Sequence, residues 1–148
     1  DSSADTSYPH GFAMSPKMLL AEDSAFFRNK VKQFIEQMGA EVVTAEDGAI
    51  AWSILQRGEH QFVGVVTDIE MPNMNGFELC ERIRGSATHK HLPVVALTSL
   101  ASDEHVRRGN QVGVSEYLIK LDRDKLVLAL TAVLSTAGNP SSQQMASV

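Results

Sequence analysis

Four positions in this chain place a chemically useful side chain just after a short apolar run. Glu22-Asp23 follows the first run and Asp68 the third, Thr98-Ser99 ends the fourth, and the fifth leads into Lys120. Acids gathered at one edge of a sheet repel one another, and at least one of their pKa values must rise. A hard cation with a demand for oxygen ligands relieves that repulsion. Magnesium fits best, because it uses one or two carboxylates together with waters and a phosphate. Thr98 can donate a hydroxyl hydrogen bond, and Lys120 can set an ammonium beside a carboxylate or a phosphoryl oxygen. Acids, cation, hydroxyl and lysine together describe a phosphoryl-transfer site, in which metal and lysine neutralise spreading charge. Asp68 is then the nucleophile, since carboxylates form aspartyl phosphates. Taken singly, each residue has a plainer use. Asp23-Ser24 reads equally as a helix N-cap, a threonine at a strand end as a turn former, and a lone lysine as a solvated surface group.

The elements that must position these residues are legible as an alternation. Apolar runs at Met18–Ala21, Val42–Ala45, Phe62–Thr67, Val94–Leu97 and Glu116–Ile119 read as strands, most of them continuous enough to be covered on both faces. Helical patterns lie between them. Phe27, Val31, Phe34 or Ile35, and Met38 mark the first, ended by Gly39; Ile50, Ile54 and Leu55 mark the second, before Gly58. Phe77, Leu79, Cys80 and Ile83 form the third after Gly76. Ser102 caps a weakly apolar fourth with Val106 inward, and Leu126, Leu130, Val133 and Leu134 define the fifth. Strand and helix alternating in this way predict an α/β fold, a five-stranded parallel sheet between two helical layers. Functional groups in such sheets gather at the carboxyl ends of the strands.

Composition sets outer limits. The chain has 148 residues, a net charge of −5 and 43% hydrophobic residues, as expected of one globular domain. An acidic balance argues against nonspecific nucleic-acid binding. No apolar run approaches the roughly 20 residues of a membrane span, and the first residues lack the pattern of a signal peptide. The single cysteine, Cys80, excludes a disulfide framework and suits the cytoplasm. Residues 1–16 and 135–148 read as tails or linkers, and residues 17–134 as the ordered domain. The first residue is Asp1, so the chain is expected to be a fragment or to carry added residues.

The anchors Glu22-Asp23, the run Asp68-Ile69-Glu70-Met71-Pro72-Asn73-Met74-Asn75-Gly76, then Thr98, Tyr117 and Lys120 resemble the receiver domain of two-component response regulators. The resemblance covers about Lys17 to Leu134. It implies a three-layer, doubly wound, flavodoxin-like sheet of order 2-1-3-4-5. It implies that Asp68 accepts phosphate from a phosphohistidine of a histidine kinase or histidine-phosphotransfer domain. Glu22, Asp23 and Asp68 would hold magnesium together with the backbone carbonyl of Glu70. Thr98 would hydrogen-bond the phosphoryl group and Lys120 pair with it. Tyr117 would change rotamer with Thr98 and pass the signal to a protein partner on the face of the fourth helix, fifth strand and fifth helix. Such a domain is a phospho-accepting regulator, catalysing only its own phosphotransfer.

The sequence departs from that pattern at two places. Leu121 stands where the family usually has proline, which puts the expected cis peptide in doubt. Glu70 adds a negative charge two residues after the acceptor, a position that tunes phosphate lifetime in the family. The run Lys120-Leu121-Asp122-Arg123 resembles receivers fused to chemotaxis-type hybrid histidine kinases, with Asp122 placed to cap the fifth helix and Asp124 in its first turn. Two other functions compete with this reading. A phosphatase of the haloacid-dehalogenase type would want a second Asp where Glu70 stands, and its acid pair late in the chain. A phosphate-independent interaction module would have lost one of these anchors. A flavin site fits less well, for no phosphate-cradling loop follows the first strand. Cys80 reads as a core residue, Trp52 as packing, Arg107-Arg108 as too short for a nucleic-acid site, and the five histidines as lacking metal-ligand spacing.

Overall fold

The computed structural model describes residues 15–99, 102–120 and 122–137. Five strands alternate with five helices: β1 (Lys17–Ala21), α1 (Ala25–Gln37), β2 (Glu41–Ala45), α2 (Gly48–Arg57), β3 (Phe62–Asp68), α3 (Gly76–Arg84), β4 (Val94–Thr98), α4 (Asp103–Val112), β5 (Glu116–Ile119) and α5 (Arg123–Ala137). All four strand pairings are parallel and the order is β2-β1-β3-β4-β5, as the family resemblance implied.

The near-continuous apolar strands divide their side chains between two cores. Leu19, Ala21, Val65, Val94 and Ala96 face one side with α2, α3 and Val112 of α4. Met18, Leu20, Val66, Val95 and Leu97 face the other, against Val31 and Ile35 of α1 and Leu126, Leu130 and Val133 of α5. This alternation follows from the strand period of two, with helices covering both faces. Each helix starts on a polar cap: Ser24, Asp47, Asn75 and Ser102 accept the backbone N–H three residues on. Asp122 does the same for Lys125 of α5, at 3.2 Å.

Several expectations need correction. Ile50, placed on the inner face of the second helix, is 42% exposed. The buried positions of α2 are Gly48, Ala51, Ile54 and Leu55, and Ile50 falls off that stripe. In α4 the inward residues are Gly109 and Val112, while Val106 is only half-buried. Helix α5 runs to Ala137, past the expected domain end at Leu134, because nothing in Ser135-Thr136-Ala137 breaks a helix before Gly138. At the other end, the Pro16 carbonyl accepts the Glu41 N–H at 2.8 Å and so belongs to the sheet margin. The readings of residues 1–14 and 138–148, and of Leu121, lie outside the described residues. Among the described residues no helix is long and apolar enough to cross a membrane.

Candidate functional site

Register in the sheet brings the acids together. β1 and β3 are neighbours at the centre of the sheet, and their ends deliver Glu22-Asp23 and Asp68 to one edge. One carboxylate oxygen from each of Glu22, Asp23 and Asp68 lies within 4.8 Å of the others. Glu22 and Asp68 are almost fully buried, at 0% and 1% exposure, while Asp23 is exposed. Glu22 is tied to the start of α1: its Oε2 accepts the Ser24 N–H at 3.0 Å, and its backbone carbonyl accepts Arg28 Nη1 at 2.9 Å. The turn after Asp68 folds back so tightly that a side chain on Gly76 would collide with the Asp68 backbone carbonyl and lie 2.9 Å from Ile69 Cδ1. Only glycine fits that approach.

β4 pairs with β3 and β5, which sets Thr98 and Lys120 beside the acids. The Lys120 backbone N–H donates to the Thr98 carbonyl at 2.8 Å. The Lys120 ammonium lies 3.2 Å from Glu22 Oε1 and 3.2 Å from Asp68 Oδ2. Burial alone would depress its pKa, but Asp68 and Glu22 outweigh burial and hold it above the ordinary lysine value. The Asp68 carboxyl is pushed up to about 7, first by burial and then by the Glu22 carboxylate, with Lys120 pulling the other way. Two buried carboxylate oxygens accept no hydrogen bond: Glu22 Oε1, which has only the ion pair with the Lys120 ammonium, and Asp68 Oδ1. Such unsatisfied oxygens in an acid cluster fit a hard divalent cation.

The Thr98 hydroxyl is engaged from the loop after β3, donating to Glu70 Oε2 at 3.0 Å. Glu70 was expected to matter through its backbone carbonyl and its charge, and its side chain turns out to hold Thr98. Tyr117 sits half-buried on β5, and its buried hydroxyl has no hydrogen-bond partner. Its pKa is raised, chiefly by burial; Thr98 acts in the opposite sense and Glu70 adds to the rise. The Tyr117 ring stacks on Phe77 of α3 with centroids 6.2 Å apart, and Phe77 stacks on His105 of α4 at 6.3 Å. A cleft of about 500 Å³ opens beside the acids, lined by Asp23, Glu70, Met71, Pro72, Phe77 and His105.

One brace escaped the sequence reading. Asp47 is buried, caps α2 by accepting the Ile50 N–H at 2.8 Å, and accepts Asn73 Nδ2 at 2.7 Å. The Ile50 N–H and then Asn73 hold its pKa below the usual carboxylate value. Asn73 is the one non-glycine residue of positive φ, +68°, among those described, so this contact pins a strained point of the loop after Asp68. The sequence signal was Asp47-Gly48 before an apolar helix, an N-cap pattern.

The response regulator receiver domain model matches residues 18–131, nearly the whole of the described sheet and helices. The chain belongs to that family. The chemotaxis protein CheY-3 of Vibrio cholerae is 36% identical over 105 residues, covering 70% of this chain and 79% of that protein. A gliding motility regulatory protein of Myxococcus xanthus is 34% identical over 113 residues, covering 76% of this chain; the chain spans only 14% of that protein. The structure of V. cholerae CheY4 superposes with a TM-score of 0.74 at 32% identity, covering 82% of this chain and all of that one. The receiver is therefore a phospho-accepting regulatory domain of a two-component phosphorelay, working with histidine kinases or phosphotransfer proteins. Its acid cluster is the pocket at which receivers bind a divalent metal.

Proposed function

We propose that Asp68 is the phospho-acceptor. A carboxylate oxygen of Asp68 attacks phosphorus as the phosphorus–nitrogen bond of the donor phosphohistidine breaks; the bonding pair stays on that ring nitrogen, and the imidazole, protonated at its other nitrogen, leaves as the neutral histidine of the partner. Glu22, Asp23 and Asp68, with the backbone carbonyl of Glu70, hold Mg²⁺, which when bound supplies charge neutralisation at the transferring phosphoryl group. Lys120, in contact with Glu22 and Asp68, adds positive charge, and Thr98 hydrogen-bonds the phosphoryl oxygens once it leaves Glu70. The observation that carries this reading is the buried Asp68 carboxylate, 3.2 Å from the Lys120 ammonium with its Oδ1 unsatisfied inside an acid trio.

The release of Thr98 from Glu70 links the site to Tyr117, whose hydroxyl is buried nearby and whose ring packs against α3 and α4. The downstream partner binds the α4–β5–α5 face. Ile119 and Leu128, exposed there by 46% and 69%, support that choice. The working compartment is the cytoplasm, where phosphohistidine donors of this kind act.

The test is intact mass after incubation with acetyl phosphate, with and without a chelator. One added phosphoryl group is expected with Mg²⁺, little without it, and none on Asp68→Asn. Labelling of the Asn variant at the level of the parent would overturn the assignment. Beryllofluoride should also move the amides of Ser99, Ser102 to Val106 and Tyr117, and shifts confined to the acid cluster would sink the relay.

A further inference from the structure

Phe27 is a large aromatic residue of α1 that belongs to neither core. Its ring lies under the Lys120 ammonium, with 4.7 Å between the nitrogen and the ring centroid. Two anions and an aromatic face therefore surround that ammonium, which is left only 10% exposed at the side chain. The three walls do different work. Glu22 and Asp68 attract the charge but leave a flexible four-carbon stem free to approach from many directions. An aromatic face attracts a cation along its normal and also packs the stem, so it selects one approach.

The ring is itself well placed. The Phe27 N–H donates to the Ser24 cap at 3.4 Å, and the Ser24 N–H donates to Glu22 Oε2 at 3.0 Å, so one helix start fixes both the acid and the ring. Phe26 meets Phe27 edge-on, with centroids 5.4 Å apart and planes at 77°. We propose that Phe27 is a positioning residue for phosphotransfer, its ring face forming the third wall of the seat that aims Lys120 at Asp68. This rests on the reading that Lys120 serves the phosphoryl group.

The substitution Phe27→Leu keeps an apolar side chain and removes the aromatic face; Phe27→Tyr keeps the face. Two readouts separate positioning from packing. The ε-methylene protons of Lys120 should carry an upfield ring-current shift in the parent and in Phe27→Tyr, and lose it in Phe27→Leu. The rate of Asp68 labelling by acetyl phosphate in Mg²⁺ should fall about threefold to tenfold in Phe27→Leu and stay near the parent in Phe27→Tyr. A Leu variant that labels at the parent rate overturns the proposal, as does a parent whose Lys120 ε-methylene protons show no upfield shift, or a Tyr variant as slow as Leu. If Lys120→Ala labels as fast as the parent, the role of Lys120 itself fails, while the methylene shift still shows whether the ring holds the ammonium.

Discussion

Replacing Asp68 by Asn removes one charge from the most crowded point of the site with little change in side-chain size. Without a cation, the Asp68 carboxyl is pushed from 3.8 up to about 7, by burial first and by Glu22 second. A carboxyl whose folded pKa exceeds its unfolded value favours the folded state while protonated. That contribution is whole below about pH 4 and is lost as pH rises through about 7. A rise of about three units, at about 1.4 kcal/mol per unit, sets an upper figure of about 4 kcal/mol. Coupling with Glu22, and the Lys120 contact that the Asn variant weakens, reduce this to about 2 kcal/mol or somewhat more. In chelator at pH 8, Asp68→Asn should therefore be the more stable protein, by about 5 to 10 °C in Tm for a chain of this size. The gap should narrow steadily toward pH 4, and adding Mg²⁺ at pH 8 should raise the parent more than the variant. Thermal and urea unfolding of both proteins across that pH range measure it. A gap that is absent, or equally wide at pH 5 and pH 8, would refute the account of Asp68 as a buried acid under electrostatic load.

Other perturbations probe the surroundings of the acids. Gly109→Ala puts a methyl carbon 2.7 Å from Tyr117 Cδ2, so the ring must leave its present seat while the helix itself gains propensity; unchanged Tyr117 ring resonances in a folded variant would contradict this. Glu70→Ala removes a carboxylate that helps raise the Tyr117 phenol, so in a Tyr8→Phe background the single remaining tyrosine should titrate at lower pH by phenolate absorbance. A pKa that holds steady or rises would count against the Glu70–Thr98–Tyr117 arrangement. Arg84 donates to the carbonyls of Gly113 and Leu92 at 2.9 and 2.6 Å, and to the Ser115 hydroxyl at 3.3 Å. Arg84→Ala should cost about 2 to 3 kcal/mol in urea unfolding, and a loss below about 0.5 kcal/mol would show those bonds to be replaced by water.

The elements were legible because each rests on a pattern carried by one segment. Continuous apolar runs marked the strands, and their bounds missed by single residues at polar ends. Lys17, Glu41, Asp68 and Thr98 all extend strands whose apolar run stops one residue short. Backbone pairing is indifferent to side-chain polarity at a strand end, so periodicity cannot mark that last residue. Helix α4 was read with Val106 inward because only an apolar side chain leaves a trace in the pattern. The actual inward residues are Val112 at the last turn and Gly109, whose missing side chain makes room for the Tyr117 ring and leaves no trace in the pattern.

The same distinction runs through the site. That acids, a threonine and a lysine stand at strand ends is a property of four short segments, and the parallel sheet then forces them to one edge. Which partner each takes is a property of two segments at once. Asn73 reaches Asp47 across 26 residues, and Thr98 reaches Glu70 across 28. Lys120 reaches Glu22 across 98, and meets the ring of Phe27 on the way. No spacing along the chain encodes such meetings, because they depend on how far each loop rises above the sheet and which rotamer it admits. A Glu in place of another residue at position 70 reads in sequence only as one more negative charge. Folded against β4, that charge becomes the acceptor holding the Thr98 hydroxyl, the group that a phosphoryl group on Asp68 would have to win under the proposed function.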